Sequence, residues 1–155
     1  MLHVVLFQPE IPQNTGNIAR TCVLTGSPLH IIGPAGFSLE DKMLKRAGLD
    51  YWEFLSFFYY DSMDEFIEKN NEPAVYCMTT KGQKWYHEVK YPNNCFLLFG
   101  KETAGLPENV RNQYRESCVR LPMIRHERAR SLNLSNAVAI TVYEVLRQHS
   151  FVGLV

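Results

Sequence analysis

The sequence has no hydrophobic run long enough to cross a membrane, since none of its apolar stretches approaches the ~20 residues that span a bilayer. It also has no basic segment followed by an apolar core at its start, so we expect no signal peptide and a cytoplasmic location. No two of its cysteines form a CxxC pair, which argues against a zinc site. We interpret them as small core residues of a protein in a reducing compartment, with catalytic thiol chemistry as the alternative. The four cysteines are Cys22, Cys77, Cys95 and Cys118.

An excess of charge of either sign is also missing, because 16 Lys and Arg residues balance 16 Asp and Glu residues. Any surface that binds nucleic acid must therefore be local. A hydrophobic content of 46% and an aromatic content of 12% exclude a disordered chain. The sequence has no repeat, low-complexity tract or linker, so we expect a single domain over residues 1–155.

Strand-like and helix-like segments alternate along the chain. This pattern predicts an α/β fold with a parallel sheet and helices on both of its faces. The predicted strands are 2–7, 29–32, 55–60, 74–79, 95–99 and 118–121. The predicted helices are 17–24, 39–47, 62–70, 107–114 and 134–148.

Ligands of such sheets bind beyond the carboxyl ends of the strands. After the first strand come two prolines and then Asn14 and Gly16, which can take the positive φ of a tight turn. Arg20 follows one turn inside the predicted helix. The spacing matches neither GxGxxG nor a Walker loop, which argues against the common phosphate-binding motifs. A plain strand–turn–helix connection with a surface arginine is the alternative.

Two later strands also end in polar or glycine-rich segments. Gly100 and Gly105 allow a close approach of backbone to a ligand, and Glu102 places a carboxylate just beyond a buried strand. Its alternative role is a carboxylate favoured by a helix dipole. The segment 120–130 has four arginines and one histidine against a single glutamate. Beside the cap-rich segment 131–136, this run favours contact with an anion or RNA over a merely solvated face.

Taken together, these segments resemble the SPOUT superfamily of RNA methyltransferases, and within it the TrmL type of tRNA (cytidine/uridine) 2′-O-methyltransferases. The resemblance runs in order over nearly the whole chain. The segments that carry it are PEIPQNTGNIAR (9–20), DKMLKRAGLDY (41–51), LFGKETAGLP (98–107), RSLNLSNAVA (130–139) and VYEVLRQ (142–148).

The resemblance implies a SPOUT fold whose C-terminal part forms a deep trefoil knot, without an extension domain. It implies S-adenosylmethionine as the cofactor, with S-adenosylhomocysteine as the product, and a homodimer whose active site draws on both subunits. The implied reaction is 2′-O-methylation of the wobble nucleotide, cytidine or uridine 34, in the anticodon loop of tRNA and in particular of leucine tRNAs.

Site residues follow from the same resemblance. Arg20, Asn14 and Tyr143 are the expected catalytic residues, with Asn133 as a further candidate. Since a guanidinium stays protonated in proteins, we expect Arg20 to hold a phosphate and stabilise the developing alkoxide. Arg125, Arg128 and Arg130 are the expected RNA contacts. The residues expected to bind the cofactor are Met78, Thr79, Gly100, Glu102, Gly105, Leu121, Met123, Ser131, Leu132 and Asn136.

The sequence is also compatible with other functions. The chain could methylate ribosomal RNA or another tRNA site, or it could be a non-catalytic relative that binds RNA. An unrelated flavodoxin-like nucleotide binder is disfavoured by the lack of a phosphate loop. No set of metal ligands is apparent, so we expect no metal.

The last helix is apolar around most of its circumference, which core burial or a subunit interface would explain equally well.

Overall fold

The computed structural model describes residues 1–39, 52–124 and 131–155. Seven strands in these residues form one sheet in which every pairing is parallel. The strands are β1 (Leu2–Phe7), β2 (Leu29–Ile32), β3 (Phe57–Tyr60), β4 (Val75–Met78), β5 (Lys84–Trp85), β6 (Cys95–Phe99) and β7 (Cys118–Arg120). Their order across the sheet is β3-β2-β1-β6-β4-β7-β5.

Helices cover both faces of this sheet, as the alternating pattern predicts. The helices are α1 (Pro12–Thr25), α2 (Met63–Lys69), α3 (Glu108–Gln113) and α4 (Leu134–Gln148), with short 3₁₀ turns at Trp52–Phe54 and Arg115–Ser117. No helix in this described part of the chain is both long and apolar enough to span a membrane.

The central strand β1 shows how the sheet sorts its side chains. Val4 lies beside Leu29 of β2 and Leu97 of β6, and it packs in the core beneath α1 and α4. The next residue, Val5, points to the opposite core, where Phe66 of α2 lies. This alternation with a period of two is the geometry of a strand that is buried on both faces.

Helix α1 begins five residues before the predicted start. Asn14 and Gly16 were expected in a tight turn, but both lie inside the first turns of the helix. Pro12 explains the early start, because its fixed φ and missing N–H suit the first turn of a helix. The expectation that Asn14 and Gly16 adopt a positive φ is therefore wrong.

One observed strand was not predicted, and one predicted helix lies almost entirely outside the described residues. The short edge strand β5 was not predicted, because two residues carry too little pattern to distinguish them from a loop. Of the predicted helix 39–47, only Leu39 is within the described residues.

A histidine pair is buried in the sheet. His3 Nδ1 lies 2.9 Å from His30 Nε2, and His30 Nδ1 lies 3.0 Å from the hydroxyl of Tyr60. Only 2% of His30 is exposed. Burial, together with the neighbouring His3, lowers the pKa of His30 to about 3, so His30 is neutral at pH 7.

Candidate functional site

A cavity of about 470 Å³ opens at the carboxyl ends of β4, β6 and β7. Its size is within the range of small-molecule sites, and its position is the one at which open parallel sheets bind ligands. Five segments enclose it: the residues around the start of α1, the residues after β4, the loop after β6 with Arg111 of α3, the residues after β7, and the start of α4. The residues that line it are Ile11, Asn14, Met78, Thr79, Thr80, Lys81, Phe99, Gly100, Lys101, Glu102, Thr103, Ala104, Gly105, Leu106, Arg111, Leu121, Met123, Ser131, Leu132, Asn133, Leu134 and Ala137.

Two glutamates fasten the loop after β1 to the loop after β6. The carboxylate of Glu102 accepts hydrogen bonds from the backbone N–H groups of Glu10 at 2.8 Å and Ile11 at 3.1 Å. In return, Glu10 Oε2 accepts from the backbone N–H of Thr103 at 3.1 Å and from its hydroxyl at 2.7 Å. The bonds from Thr103, and then the charge of Lys101, hold the pKa of Glu10 below its ordinary value. We call this arrangement the glutamate clasp.

The Glu102 carboxylate also favours the start of α1. It lies on amide groups just before the first helical residue, where the helix dipole stabilises a negative charge. The N-cap residue Ile11 has no side chain that could cap the helix. The carboxylate from the other loop therefore meets a need that the local sequence of α1 leaves open.

Asn14 connects the clasp to the last helix. Its Nδ2 donates to Glu102 Oε1 at 3.2 Å, and its Oδ1 accepts from Asn133 Nδ2 at 2.9 Å. Asn133 in turn caps α4, because its Oδ1 accepts from the backbone N–H of Ser135 at 2.9 Å. Three segments that are distant in sequence thus share one hydrogen-bonded chain at the cavity wall.

Glycine is required at Gly100 by close packing of the backbone. A Cβ at this position would lie 2.2 Å from both the carbonyl carbon of Gly105 and the backbone nitrogen of Leu106. Lys101 and Gly105 pair their backbones at 2.9 and 3.2 Å, which folds the loop back on itself. Gly105 has φ +68 and open space where a Cβ would lie, so its backbone faces the cavity without a side chain.

Eleven of the predicted catalytic and cofactor-binding residues line this one cavity. They are Asn14, Met78, Thr79, Gly100, Glu102, Gly105, Leu121, Met123, Ser131, Leu132 and Asn133. The sequence places these residues in five separate segments, and the sheet brings them together.

Three predicted residues are not part of the cavity wall. Arg20 is exposed on α1, while Asn136 and Tyr143 are exposed on α4. For Asn136, the reason is helical phase: its neighbours Asn133, Leu134 and Ala137 line the cavity, and Asn136 points to another side of the helix. Arg125, Arg128 and Arg130, together with the resemblance segment 41–51, lie outside the described residues.

Arg111 also lines the cavity and was not among the residues predicted from the sequence. It lies on α3, and its Nε donates to the carbonyl of Leu106 at 3.2 Å. The segment 107–114 was predicted as a helix, but nothing in its pattern indicated which side chain turns toward the ligand edge of the sheet.

The cysteines are core residues, as predicted. All four are free and buried. Burial raises the pKa of Cys22 to about 12, so its thiol is protonated at pH 7 and a poor nucleophile. Within residues 1–39, 52–124 and 131–155, no group of three His, Cys, Asp or Glu side chains is arranged to hold a metal ion.

Comparisons with known proteins agree on one family. A model of the SpoU rRNA Methylase family matches residues 1–143. A protein of Escherichia coli strain K12 named tRNA (cytidine(34)-2′-O)-methyltransferase is 46% identical over 156 residues, which covers 100% of this chain and 98% of that protein. A protein of the same name from Methylovorus glucosotrophus is also 46% identical over 156 residues, and all of both chains is covered.

Solved structures extend the likeness to the fold. One, described as giving structural insights into the 2-OH methylation of C/U34 on tRNA, has a TM-score of 0.90 and 43% identity over 97% of each chain. Another is the SpoU methyltransferase AviRb from Streptomyces viridochromogenes in complex with the cofactor AdoMet. It has a TM-score of 0.85 and 25% identity, and the match covers 97% of this chain and 58% of that one.

Proposed function

Because the chain belongs to the SpoU rRNA methylase family, we propose that it is an S-adenosylmethionine-dependent methyltransferase that acts on the ribose 2′-oxygen of nucleotide 34, cytidine or uridine, in tRNA. The observation that carries the proposal is the near-complete alignment with relatives named for this reaction, at 46% identity. The cavity at the strand ends gives this reaction a site. An RNA methyltransferase that acts on ribosomal RNA is the second candidate, because the matching family model carries that name.

The cavity fits S-adenosylmethionine in its chemistry. Met78, Leu121 and Met123 offer apolar surface for the flat face of an adenine ring. The tight loop from Gly100 to Gly105 offers backbone groups for the edge of the base, and Ser131 adds a hydroxyl. When bound, S-adenosylmethionine supplies a methyl group that its sulfonium makes electrophilic.

The protein has to position the ribose rather than activate a metal or a nucleophilic side chain. In-line transfer needs the 2′-oxygen, the methyl carbon and the sulfur aligned, and holding that geometry is a large part of the catalytic effect. The glutamate clasp and Asn14 keep the loop before α1 against the cofactor loop. In the proposed mechanism, Arg20 holds a phosphate of the RNA and stabilises the negative charge that develops on the 2′-oxygen. Tyr143 and Asn136 complete the proposed site from α4.

A second copy of the chain explains why Arg20 and Tyr143 lie outside the cavity of their own protomer. The exposed residues of α1 recur at helical spacing, as do those of α4, and the two helices cover the same face of the sheet. Leu24 is 62% exposed and Ile140 is 41% exposed, so each helix contributes an apolar side chain to this surface. The residues of this exposed helical surface are Gln13, Asn17, Arg20 and Leu24 on α1, and Asn136, Ile140, Tyr143 and Arg147 on α4.

We propose that this exposed helical surface forms a two-fold interface in a homodimer. Such an interface would bring Arg20 and Tyr143 of one protomer toward the cavity of its partner. The apolar residues of α4 would then contribute both to the core and to the subunit interface. Val138, Val142 and Val145 are buried in the core, and Ile140 lies on the outside.

RNA recognition is proposed to rest on Arg125, Arg128 and Arg130. Neutralising an arginine that contacts a phosphate lowers the affinity for tRNA and flattens its dependence on salt. The target nucleotide would be splayed out of the anticodon loop, as single-stranded bases can be. Leucine tRNAs are the proposed substrates, and the cytoplasm is the proposed place of action.

The C-terminal trefoil knot is also part of the proposal. Its support is that the segments after β4, β6 and β7 enclose one cavity, and that α4 then packs beside α1 and over β1. An experimental structure that traces residues 121–133 tests the knot. A chain that runs to α4 without passing through a loop would contradict it.

The experiment that tests the function is transfer of a labelled methyl group from S-adenosylmethionine to unmodified tRNA, with ribosomal RNA in parallel. Nuclease digestion and mass spectrometry then locate the label. We expect a 2′-O-methyl group on nucleotide 34 of a leucine tRNA. Label on ribosomal RNA alone would overturn the proposed substrate and keep the chemistry, while cofactor binding without transfer to either RNA would indicate a non-catalytic relative.

A further inference from the structure

We propose that Arg111 binds the carboxylate of the methionyl part of S-adenosylmethionine, and so makes the cavity select for the complete amino-acid tail of the cofactor. This inference rests on the proposed function, because it assigns a residue to the cosubstrate of that reaction. The charges of the residues that line the cavity support it.

The cavity wall has an excess of positive charge. Among the residues that the structure describes, the wall contains three cations, Lys81, Lys101 and Arg111, and one acidic residue, Glu102. The carboxylate of Glu102 already accepts hydrogen bonds from the backbone of Glu10 and Ile11 and from the side chain of Asn14. It is held in the glutamate clasp by these three bonds, and it forms no ion pair with a lysine or arginine in the described residues.

Two of the three cations are less suited to a bound anion. Lys101 lies close enough to Glu10 to lower the pKa of that carboxyl group, so a carboxylate of the protein is already near its charge. Lys81 is exposed, and a solvated ammonium on a flexible stem contributes little to a defined geometry. Arg111 is the one that the structure holds in place.

Arg111 is half-buried and anchored at one edge of its guanidinium. Its Nε donates to the carbonyl of Leu106 at 3.2 Å, which fixes the plane of the group against the loop that follows β6. Within the described residues, its two terminal nitrogens donate to no acceptor. A planar guanidinium with both terminal nitrogens available matches the two oxygens of a carboxylate.

S-adenosylmethionine has a single carboxylate, at the end of its methionyl chain. Its sulfonium and its ammonium are both cationic, so neither would be drawn to Arg111. If adenosine lies against Met78, Leu121 and the Gly100 loop, the carboxylate is the part of the molecule that Arg111 can recognise. An RNA phosphate offers oxygens of similar geometry, and the experiment therefore separates the two sources.

The test compares two ligands that differ by that carboxylate. Calorimetry measures binding of S-adenosylhomocysteine and of its decarboxylated form, which keeps the amine, to the wild-type protein and to Arg111→Gln, Arg111→Lys and Arg115→Gln. Arg115 is exposed outside the cavity and serves as the matched control. Circular dichroism confirms that each variant is folded.

We expect Arg111→Gln to weaken binding of S-adenosylhomocysteine about tenfold or more, and to leave the decarboxylated ligand within about twofold. Arg111→Lys should keep part of the affinity, because it retains the charge and loses the planar group. Arg115→Gln should bind both ligands like the wild type. Equal weakening of both ligands by Arg111→Gln, or no weakening of either, would overturn the assignment.

A second arm addresses the phosphate. If Arg111→Gln lowers the affinity for tRNA and flattens its salt dependence while binding of S-adenosylhomocysteine is unchanged, the anion is a phosphodiester and the inference is wrong. The proposed function would survive that result. It would fail separately if the folded wild-type protein bound neither thioether ligand.

Discussion

The side chain of Asn14 donates a hydrogen bond to the carboxylate of Glu102 at 3.2 Å across 88 residues of sequence. Asn14 is 5% exposed, and a hydrogen bond to a carboxylate is stronger than one between two neutral groups. Because Asn14 also accepts from Asn133, the pair links the beginning of α1, the loop after β6 and the cap of α4. The shape of the cavity therefore depends on one continuous set of polar contacts.

Removing the charge of Glu102 should open this arrangement. In Glu102→Gln one oxygen becomes an NH₂ group, which cannot accept from Glu10, Ile11 or Asn14. We expect a loss of about 1–3 kcal/mol in the free energy of unfolding, together with weaker binding of S-adenosylhomocysteine. Urea denaturation and calorimetry measure the two effects. The control is Glu116→Gln on the exposed 3₁₀ turn, which should change stability by less than about 0.5 kcal/mol. Equal stability of the two variants would show that the clasp is not important for the fold.

The two glycines of the cofactor loop should respond differently to an added methyl group. Gly100→Ala would place a Cβ 2.2 Å from the backbone of Gly105 and Leu106, so the loop must move, and we expect a loss of at least about 3 kcal/mol and of cofactor binding. Gly105→Ala meets no atom within 4 Å and suffers only from its φ of +68, which costs about 1–2 kcal/mol. Thermal unfolding of both variants checks the order. A reversed order would mean that the loop is packed differently.

Acid should destabilise the protein through its buried histidine. The pKa of His30 is lowered to about 3 in the folded protein and is near 6.5 in the unfolded chain, so the unfolded state binds more protons in between. The stability due to neutral His30 is complete above pH 6.5 and is lost as the pH falls toward 3. Between pH 7.5 and pH 5, this amounts to about 2 kcal/mol.

The matching measurement is urea denaturation at both pH values for the wild type, for His30→Leu and for His87→Gln. His87 is exposed and serves as the control. We expect His30→Leu to be less stable at pH 7.5, because it leaves His3 without its ring partner, yet to show a smaller difference between the two pH values. The same pH difference in all three proteins would refute the role of His30.

Arg20→Ala should separate chemistry from cofactor binding. Arg20 does not line the cavity of its own chain, and its proposed contact is with a phosphate of the RNA, so we expect binding of S-adenosylhomocysteine to stay within about twofold. Methyl transfer should fall by at least about 100-fold, the usual effect of removing a group that stabilises developing charge. Single-turnover transfer and calorimetry give the two quantities. A parallel loss of both would place Arg20 in the cofactor site instead.

A charge in the exposed helical surface should break the proposed dimer. Ile140 is 41% exposed on α4, and Ile140→Glu would bury a carboxylate in the interface if a partner covers it. We expect sedimentation to show a dimer for the wild type and a monomer for the variant, with methyl transfer lost. The matched control is Glu53→Gln on the 3₁₀ turn Trp52–Phe54, which is not part of the exposed helical surface and should remain dimeric and active. A wild-type monomer at micromolar concentration would exclude the interface.

Much of the site was predictable from local sequence. The family resemblance named the site residues, the ends of parallel strands meet at one edge of a sheet, and eleven of the named residues do line the cavity at that edge. The start of α1 was missed although Pro12 is a local signal for a first helical turn, and the acceptor for the amides just before that turn, Glu102, lies far away in the chain. Arg111 was missed because the pattern of a short helix does not reveal which of its polar side chains faces a ligand.

By itself, the sequence determined the class of fold and the places where chemistry could occur. Buried strands, amphipathic helices and glycine-rich connections are local patterns, and local backbone preferences and burial are enough to specify them. Only the tertiary structure decided which of these places meet. The contacts of Asn14 with Glu102 and Asn133, and the position of Arg20 outside the cavity, depend on how distant segments pack. No local pattern carries that information, because such contacts form only once the sheet has aligned its strand ends.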